Sequence, residues 1–100
     1  MALLNLNIPH NLSKEEGLER VKSLLKNLQE EHKDTISNVK ENWQGDKNDF
    51  SFSAKGFDLA GTIQVNPSDV EIESDLPFAL SFFKGMIGSM ISQKASALLS

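Results

Sequence analysis

The chain has 100 residues, of which 39% are hydrophobic and 24% are charged. These proportions are typical of one soluble globular domain and exclude collagen-like, low-complexity and strongly disordered chains. The formal charge of -4 argues against binding to nucleic-acid phosphates, and the absence of cysteine excludes disulfides, zinc–thiolate sites and cysteine nucleophiles.

The first two predicted elements are a strand and a helix. Apolar residues alternate with asparagines over residues 4–8, which predicts a half-buried strand that ends at Pro9. Residues 13–16, Ser-Lys-Glu-Glu, form a capping-box pattern, in which the serine hydroxyl accepts an amide of the first turn and the glutamate reaches back. A helix is therefore predicted from this box to about residues 32–34. Its apolar stripe is Leu18, Val21, Leu24, Leu25 and Leu28.

Four strands are predicted next, because apolar and polar residues alternate in four successive segments. One face of each strand consists of Val39, Glu41 and Trp43; Phe50, Phe52 and Ala54; Leu59, Gly61, Ile63 and Val65; and Val70, Ile72 and Leu76. The predicted turns are residues 45–48, 55–56 and 66–69, which are rich in glycine, asparagine, aspartate and proline. Such short turns predict an antiparallel meander.

The last segment, residues 77–99, has apolar residues at helical spacing, and its two glycines, Gly85 and Gly88, weaken the expectation of a regular helix. The element order β-α-β-β-β-β-α predicts an α+β fold, a two-layer sandwich in which a five-stranded antiparallel sheet carries two helices on one face. Glu71, Glu73 and Asp75 then lie on the opposite, solvated face. By analogy with folds that wrap a sheet around a C-terminal helix, the first strand is placed beside the last.

Neither a signal peptide nor a transmembrane segment is predicted. The N-terminal residues lack a positively charged start and a continuous apolar core. The most apolar stretch contains Lys84 and Lys94 and has no run of about 18 apolar residues. We therefore expect a cytoplasmic protein with a single domain over residues 1–100.

Four short motifs together resemble a known family. They are Ile8-Pro9-His10-Asn11-Leu12, Trp43-Gln44-Gly45-Asp46, Gly61-Thr62-Ile63-Gln64-Val65 and Phe83-Lys84-Gly85-Met86-Ile87. In their order and spacing, over about residues 4–99, the chain resembles the polyhydroxyalkanoic acid system protein family, small bacterial proteins also described as granule-region proteins. The resemblance implies a link to polyhydroxyalkanoate storage. It supplies no catalytic residues to carry over.

The predicted fold could leave a cavity between the sheet and the C-terminal helix. Its lining is predicted to be Trp43, Phe50, Phe52, Phe83 and Ile87. Trp43, with Gly45 and Asp46, fits either a recognition rim or a structural tryptophan beside a hairpin turn.

The C-terminal helix carries many apolar residues and only two charges, more apolar surface than one sheet face covers. Small residues on it form a ribbon that permits close approach of another backbone, the predicted interface residues being Ser81, Gly85, Ser89 and Ser92. Three readings stay open: a weakly polar solvent face, a homodimer seam, or contact with an apolar lipid or polymer surface.

Catalytic and metal sites are weakly supported. His10 and His32 lie at opposite ends of a helix of about 30 Å, so no shared metal site is predicted. An inward-pointing Glu41 could act as an acid or base, although an exposed position at a sheet edge is the simpler interpretation. The sequence therefore predicts a non-catalytic accessory or binding module with no cofactor, no metal and no nucleic-acid partner. It would bind an apolar ligand or a polymer granule surface through its C-terminal helix, and the alternatives are a structural homodimeric interaction protein and, less favoured, a small enzyme.

Overall fold

A computed structural model describes residues 2–54, 56–76 and 78–100, with the side chains of all of these except residues 2, 78 and 79. Lys55 of the second predicted turn and Pro77 at the predicted helix start lie outside the described residues. The elements are β1 (Ala2–Pro9), α1 (Lys14–Val21), α2 (Leu24–Glu31), β2 (Ile36–Gln44), β3 (Lys47–Ala54), β4 (Phe57–Val65), β5 (Asp69–Leu76), a 3₁₀ helix (Phe78–Phe83) and α3 (Lys84–Leu99).

The five strands form one open antiparallel sheet in the order β1-β5-β4-β3-β2. The predicted α+β fold and the placement of the first strand beside the last are both confirmed. In the register, Ile8 lies opposite Val70 and Phe50 opposite Gly61. The two edges of the sheet are therefore β1 and β2.

One face of the sheet is covered and the other is solvated. Along β5, Val70, Ile72, Ser74 and Leu76 are buried, whereas the acidic residues that alternate with them, at positions 71, 73 and 75, are exposed. The prediction of an acidic solvated face is therefore correct. Every element contributes to the core between sheet and helices. Its members include Leu4, Ile8, Val21, Leu24, Leu28, Ile36, Phe50, Phe52, Leu59, Ile63, Ile72, Leu80, Ile87 and Ile91.

The N-terminal helical region differs from the prediction of one continuous helix. It consists of α1 and α2, separated at Lys22 and Ser23, because the amide and hydroxyl of Ser23 both bond back to the Arg20 carbonyl, at 3.3 and 2.9 Å. These local bonds tighten the chain and compete with the helical ladder. The amide of Glu16 donates to the Ser13 hydroxyl, as the capping box predicts, but the Glu16 carboxylate accepts a bond from Arg20.

The C-terminal segment also begins differently from the prediction. β5 continues to Leu76, a 3₁₀ helix occupies residues 78–83, and α3 follows without a break. Gly88 allows α3 to approach β1, since a Cβ at this position would lie 3.0 Å from Cδ1 of Leu4. No helix of the described residues is long and apolar enough to cross a bilayer.

The hairpin between β2 and β3 is tighter than the predicted turn over residues 45–48. Only Gly45 and Asp46 lie outside the strands, and Gly45 has the positive φ of 65° that such a turn favours. Asn48 belongs to β3 and is fully buried. Near the other end of β2, the pairing shifts between Ser37 and Lys40, and Asn38 has a φ of 55°. This irregularity is a β-bulge.

Candidate functional site

The most exposed apolar surface of the described residues lies where the 3₁₀ helix meets α3. Phe82 is 93% exposed, Phe83 36% and Met86 42%. We call these three residues the Phe82 patch. Scattered single apolar residues are common on protein surfaces, but three large ones within five positions form a local surface suited to an apolar partner.

The packing on either side explains why the Phe82 patch faces outward. Leu80 in the 3₁₀ helix and Ile87 in α3 are both buried against the core. A 3₁₀ helix has three residues per turn and an α-helix 3.6, so the facing of successive side chains changes at the junction. Phe82 and Met86, four residues apart, therefore share a side that turns away from the core.

A groove adjoins the Phe82 patch between α2 and α3. It has a volume of about 500 Å³, and Met86 belongs to both its lining and the patch. The other lining residues are Leu28, Glu31, His32, Ser89, Met90, Gln93, Lys94 and Ala97. An ion pair between Lys94 and Glu31 joins the two helices here. The groove thus extends the apolar patch toward a more polar surface.

The five predicted cavity residues have different environments. Phe50 and Phe52 are only 4% and 3% exposed, and their rings stack with centroids 5.9 Å apart. Ile87 is buried as well. Trp43 is half-buried on β2 with the Lys22 ammonium 5.9 Å from its ring centroid, while Phe83 belongs to the Phe82 patch. Three of the five therefore fill the core and two reach the surface on different elements, and a shared ligand site stays a prediction.

Three of the four predicted interface residues line a second groove. Gly85, Ser89 and Ser92 face Leu4, Asn5 and Leu6 of β1 across a groove of about 460 Å³. A Cβ added at Gly85 would have no neighbour within 4 Å, so this part of the helix surface is unobstructed. Ser81, the fourth predicted residue, is half-buried in the 3₁₀ helix.

His10 has a structural environment. Its ring is nearly buried: Nδ1 accepts the amide of Leu12 at 3.1 Å, and Nε2 lies 3.0 Å from the carbonyl oxygen of Asn66. Since Nδ1 accepts, the proton is on Nε2 and is donated to that carbonyl. Gly17 of α1 packs on the ring, where a Cβ would lie 3.3 Å away. His10 thus ties the end of β1 to the β4–β5 turn and to α1.

His32, the second histidine, lies at the end of α2 and lines the α2–α3 groove. In the described parts of the chain, no three His, Asp or Glu side chains are grouped so that they could hold a metal ion.

Asn48 is the polar residue that sequence reasoning missed. It is fully buried, accepts the amide of Asn42 at 3.0 Å and donates to the Glu41 carboxylate at 3.0 Å. The available signal was the alternation of Phe50, Phe52 and Ala54, which extends back to position 48. Glu41 itself is exposed on β2, which matches the simpler of its two interpretations.

Two carboxylates have lowered pKa values. Hydrogen bonds from Lys14 and Gln64, together with the Lys14 charge, lower the pKa of Asp46 below its usual value. Hydrogen bonds from the Asn7 and Asn66 side chains lower the pKa of Asp69 in the same way. Asp46 lies in the β2–β3 turn and Asp69 is the first residue of β5. Their bonds to Lys14 and Asn7 therefore attach these hairpin ends to α1 and β1.

The comparison with protein families shows to which family the chain belongs. The model of the family described as "Putative polyhydroxyalkanoic acid system protein" matches residues 4–99. The chain belongs to this family. Searches of curated proteins and of solved structures each found no match.

Several of the residues that carry the resemblance to the polyhydroxyalkanoic acid system family have packing roles here. His10 anchors β1, and Asp46 forms an ion pair with Lys14 that fastens the β2–β3 hairpin to α1. Gly61 admits close contact with β5, since a Cβ there would lie 2.1 Å from the Glu73 carbonyl oxygen. Phe83 and Met86 are the two motif residues that belong to the exposed Phe82 patch.

Proposed function

We propose that this protein is a non-catalytic accessory protein that binds an apolar polymer surface, such as that of a polyhydroxyalkanoate granule, through the Phe82 patch. The observation that carries this proposal is the 93% exposure of Phe82 at the start of the C-terminal helix. Membership of the polyhydroxyalkanoic acid system family supports the choice of polymer. A cytoplasmic location remains part of the proposal.

The energetics favour such a surface contact. Burying a fully exposed phenylalanine against an apolar surface contributes about 2–3 kcal/mol. Met86 adds a flexible, polarizable side chain that adapts to an irregular apolar partner. Lys84, between the two, carries its charge on a long stem that can stay in water while the neighbouring rings are buried.

Binding to polymer particles tests the proposal. Purified protein is mixed with amorphous poly(3-hydroxybutyrate) particles, and the bound fraction is measured after sedimentation. The wild type is expected to sediment with the particles, and Phe82→Ser should weaken binding by about tenfold or more. Because Phe82 is exposed in the free protein, this substitution should leave the melting temperature unchanged.

Phe57→Ser is the matched control. Phe57 is 41% exposed at the start of β4, away from the 3₁₀ helix in the chain, and its replacement should leave particle binding unchanged. The proposal is wrong if the wild type stays in the supernatant, or if the two serine variants bind as well as each other. Phospholipid vesicles in place of polymer show whether the surface is selective: stronger binding to vesicles would contradict polymer as the partner.

A further inference from the structure

β1 forms one edge of the sheet, and alternate residues on it direct backbone groups outward. The His10 amide donates to the Ser68 carbonyl at 2.9 Å, which continues the β1–β5 register by one pair. Hydrogen-bonded pairs alternate along an antiparallel ladder, so the even residues of β1 bond to β5. The odd residues Leu3, Asn5 and Asn7 therefore point their N–H and C=O groups away from β5.

Before Pro9, this edge has neither a charge nor a bulge that would protect it against strand pairing. Residues 2–9 contain no charged side chain, and their register with β5 runs without a shift from Ala2 to Pro9. Leu3 is 52% exposed. An uncharged edge strand with a regular register is a template for another strand, whereas protected edges carry charges, prolines, bulges or short strands.

The helix layer leaves room beside the same edge. The groove between β1 and α3 is lined on its helix side by Lys84 at one end and by Gly85, Gly88, Ser89 and Ser92, and these four small residues do not fill it. Leu6 of β1 is only half-buried on this side. A strand added to β1 would therefore place its own inward side chains in an existing space.

We propose that β1 pairs antiparallel with β1 of a second copy of this chain, about a two-fold axis at Asn5. Asn5 then lies opposite Asn5 of the second copy, and Leu3 opposite Asn7. The outward groups of all three odd residues are satisfied by about six hydrogen bonds. Shifting the axis toward the C-terminus by one position would place Pro9, which has no N–H, opposite Leu3, so the Leu3 carbonyl of each copy would lack its donor.

The side chains agree with this register. On the helix side of the sheet, Leu4 lies opposite Leu6 of the second copy, so an apolar pair forms on each side of the axis. On the solvated side, Leu3 lies opposite Asn7. This pairing extends the homodimer seam predicted on α3 to the neighbouring strand, and it uses residues other than those of the Phe82 patch.

Charge permits a second copy as the occupant, because the paired strands themselves are uncharged. The acidic strands β5 carry Glu71, Glu73 and Asp75 on the solvated face and would repel each other at close range. In the dimer two uncharged strands separate them by about 14 Å, which exceeds the screening length of about 8 Å at physiological ionic strength.

The size of the interface also fits a second copy. An eight-residue edge with its helix layer gives a total buried area of roughly 1,000 Å², near the lower limit for a specific interface.

Disulfide trapping tests the register, since the chain has no cysteine of its own. In the proposed dimer the two copies of position 5 have Cα atoms about 5.5 Å apart, which suits a disulfide. The two copies of position 7 lie about 14 Å apart. Asn5→Cys should therefore form a covalent dimer on mild oxidation, and Asn7→Cys, the same substitution on the same face, should not. Equal trapping at both positions, or none at position 5, would overturn the proposal.

The oligomeric state provides the second readout. Analytical ultracentrifugation of the wild type should show a dimer at about 100 µM protein. Asn5→Lys places two ammonium groups at the axis and should raise the dimer Kd about tenfold or more. Asn42→Lys, at an exposed position of the other edge strand, should leave it unchanged.

A monomeric wild type, or a dimer that tolerates Asn5→Lys, would exclude the β1 seam. Folding of each variant is checked by circular dichroism, and the cysteine variants answer the question if the lysine variant does not fold. Particle binding by wild type and Phe82→Ser is measured separately, so this proposal and the proposed function can fail independently.

Discussion

The two edges of the sheet are built in opposite ways. β2 contains a bulge between Ser37 and Lys40, a left-handed Asn38, and two exposed charges at Lys40 and Glu41. β1 has a continuous register and no charge. Bulges and charges at an edge prevent association with other strands. The comparison indicates that one edge of this protein is closed to pairing and the other is available for it.

The two edges also differ in how they are attached to the rest of the molecule. The turn between β2 and β3 is attached to α1 by the ion pair between Asp46 and Lys14, and Asn48 of β3 binds two residues of β2. β1 is held at its end by His10 and by the bond from Asn7 to Asp69 at 2.8 Å. Substitutions at the centre of the sheet and at these attachments should therefore affect the two edges differently.

Gly61→Ala should lower the free energy of unfolding the most, because Gly61 lies on β4, the central strand of the sheet. A Cβ there would lie 2.1 Å from the Glu73 carbonyl oxygen and 2.8 Å from the Phe50 ring, so strands β4 and β5 would have to separate. We expect a loss of about 3 kcal/mol in the free energy of unfolding, measured by urea denaturation.

Gly85→Ala is the control for this substitution. The same Cβ meets no atom within 4 Å in α3, and alanine favours the helix by up to about 1 kcal/mol. A loss of stability at Gly85 as large as that at Gly61 would show that the close approach of β4 to β5 is not the cause.

Asn48→Ala should weaken the protected edge selectively. It removes the acceptor for the Asn42 amide and the donor to Glu41, and we expect a loss of about 1–2 kcal/mol in the free energy of unfolding. Hydrogen exchange should accelerate in β2 more than in β1. Glu41→Gln retains an acceptor for Asn48 and should change the free energy of unfolding by less than about 0.5 kcal/mol; an equal loss in both variants would contradict this account.

The smallest expected effects are changes in how the melting temperature depends on pH and on salt. The pKa values of Asp46 and Asp69 are lowered in the folded protein, so each carboxylate stabilises the fold above its unfolded pKa near 3.8. This contribution is lost as pH falls below 3.8 through the folded pKa. Asp46→Asn and Asp69→Asn should each make the fall in melting temperature between pH 5 and 2 shallower than in the wild type.

Salt distinguishes the two attachments. Asp46 interacts with the Lys14 charge, whereas hydrogen bonds from two amide side chains are the main partners of Asp69. The difference in melting temperature between wild type and Asp46→Asn should therefore shrink in 1 M NaCl. The corresponding difference for Asp69→Asn should persist, and an equal salt response would show that the edges are attached by the same kind of interaction.

Much of the fold could be predicted because its signals are local. Alternating apolar residues located all five strands, and the serine cap located the start of α1. The break at Ser23 could not be predicted, because the apolar stripe of Val21, Leu24 and Leu28 continues across it and all three are buried. Likewise, asparagine is common in turns, so the sequence predicts a turn at Asn48, and only the hairpin geometry places it inside a strand.

The candidate site, like the fold, could be predicted from the sequence only in part. The sequence indicated that the C-terminal helix has more apolar residues than one sheet face covers, and that small residues form a ribbon on it. It did not indicate that Phe82 is the most exposed of them, because that depends on the change from 3₁₀ to α-helical geometry between Leu80 and Ile87, which are both buried.

By itself, the sequence determined the order of the strands and helical regions, the fold class, the family and the acidic face of the sheet, since periodicity, turn residues and charge act over short distances along the chain. Only the tertiary structure decided which aromatic rings fill the core and which apolar side chains remain in water. Those properties depend on contacts between residues far apart in sequence, such as His10 with Asn66 and Gly88 with Leu4. Such contacts exist only after the layers have packed.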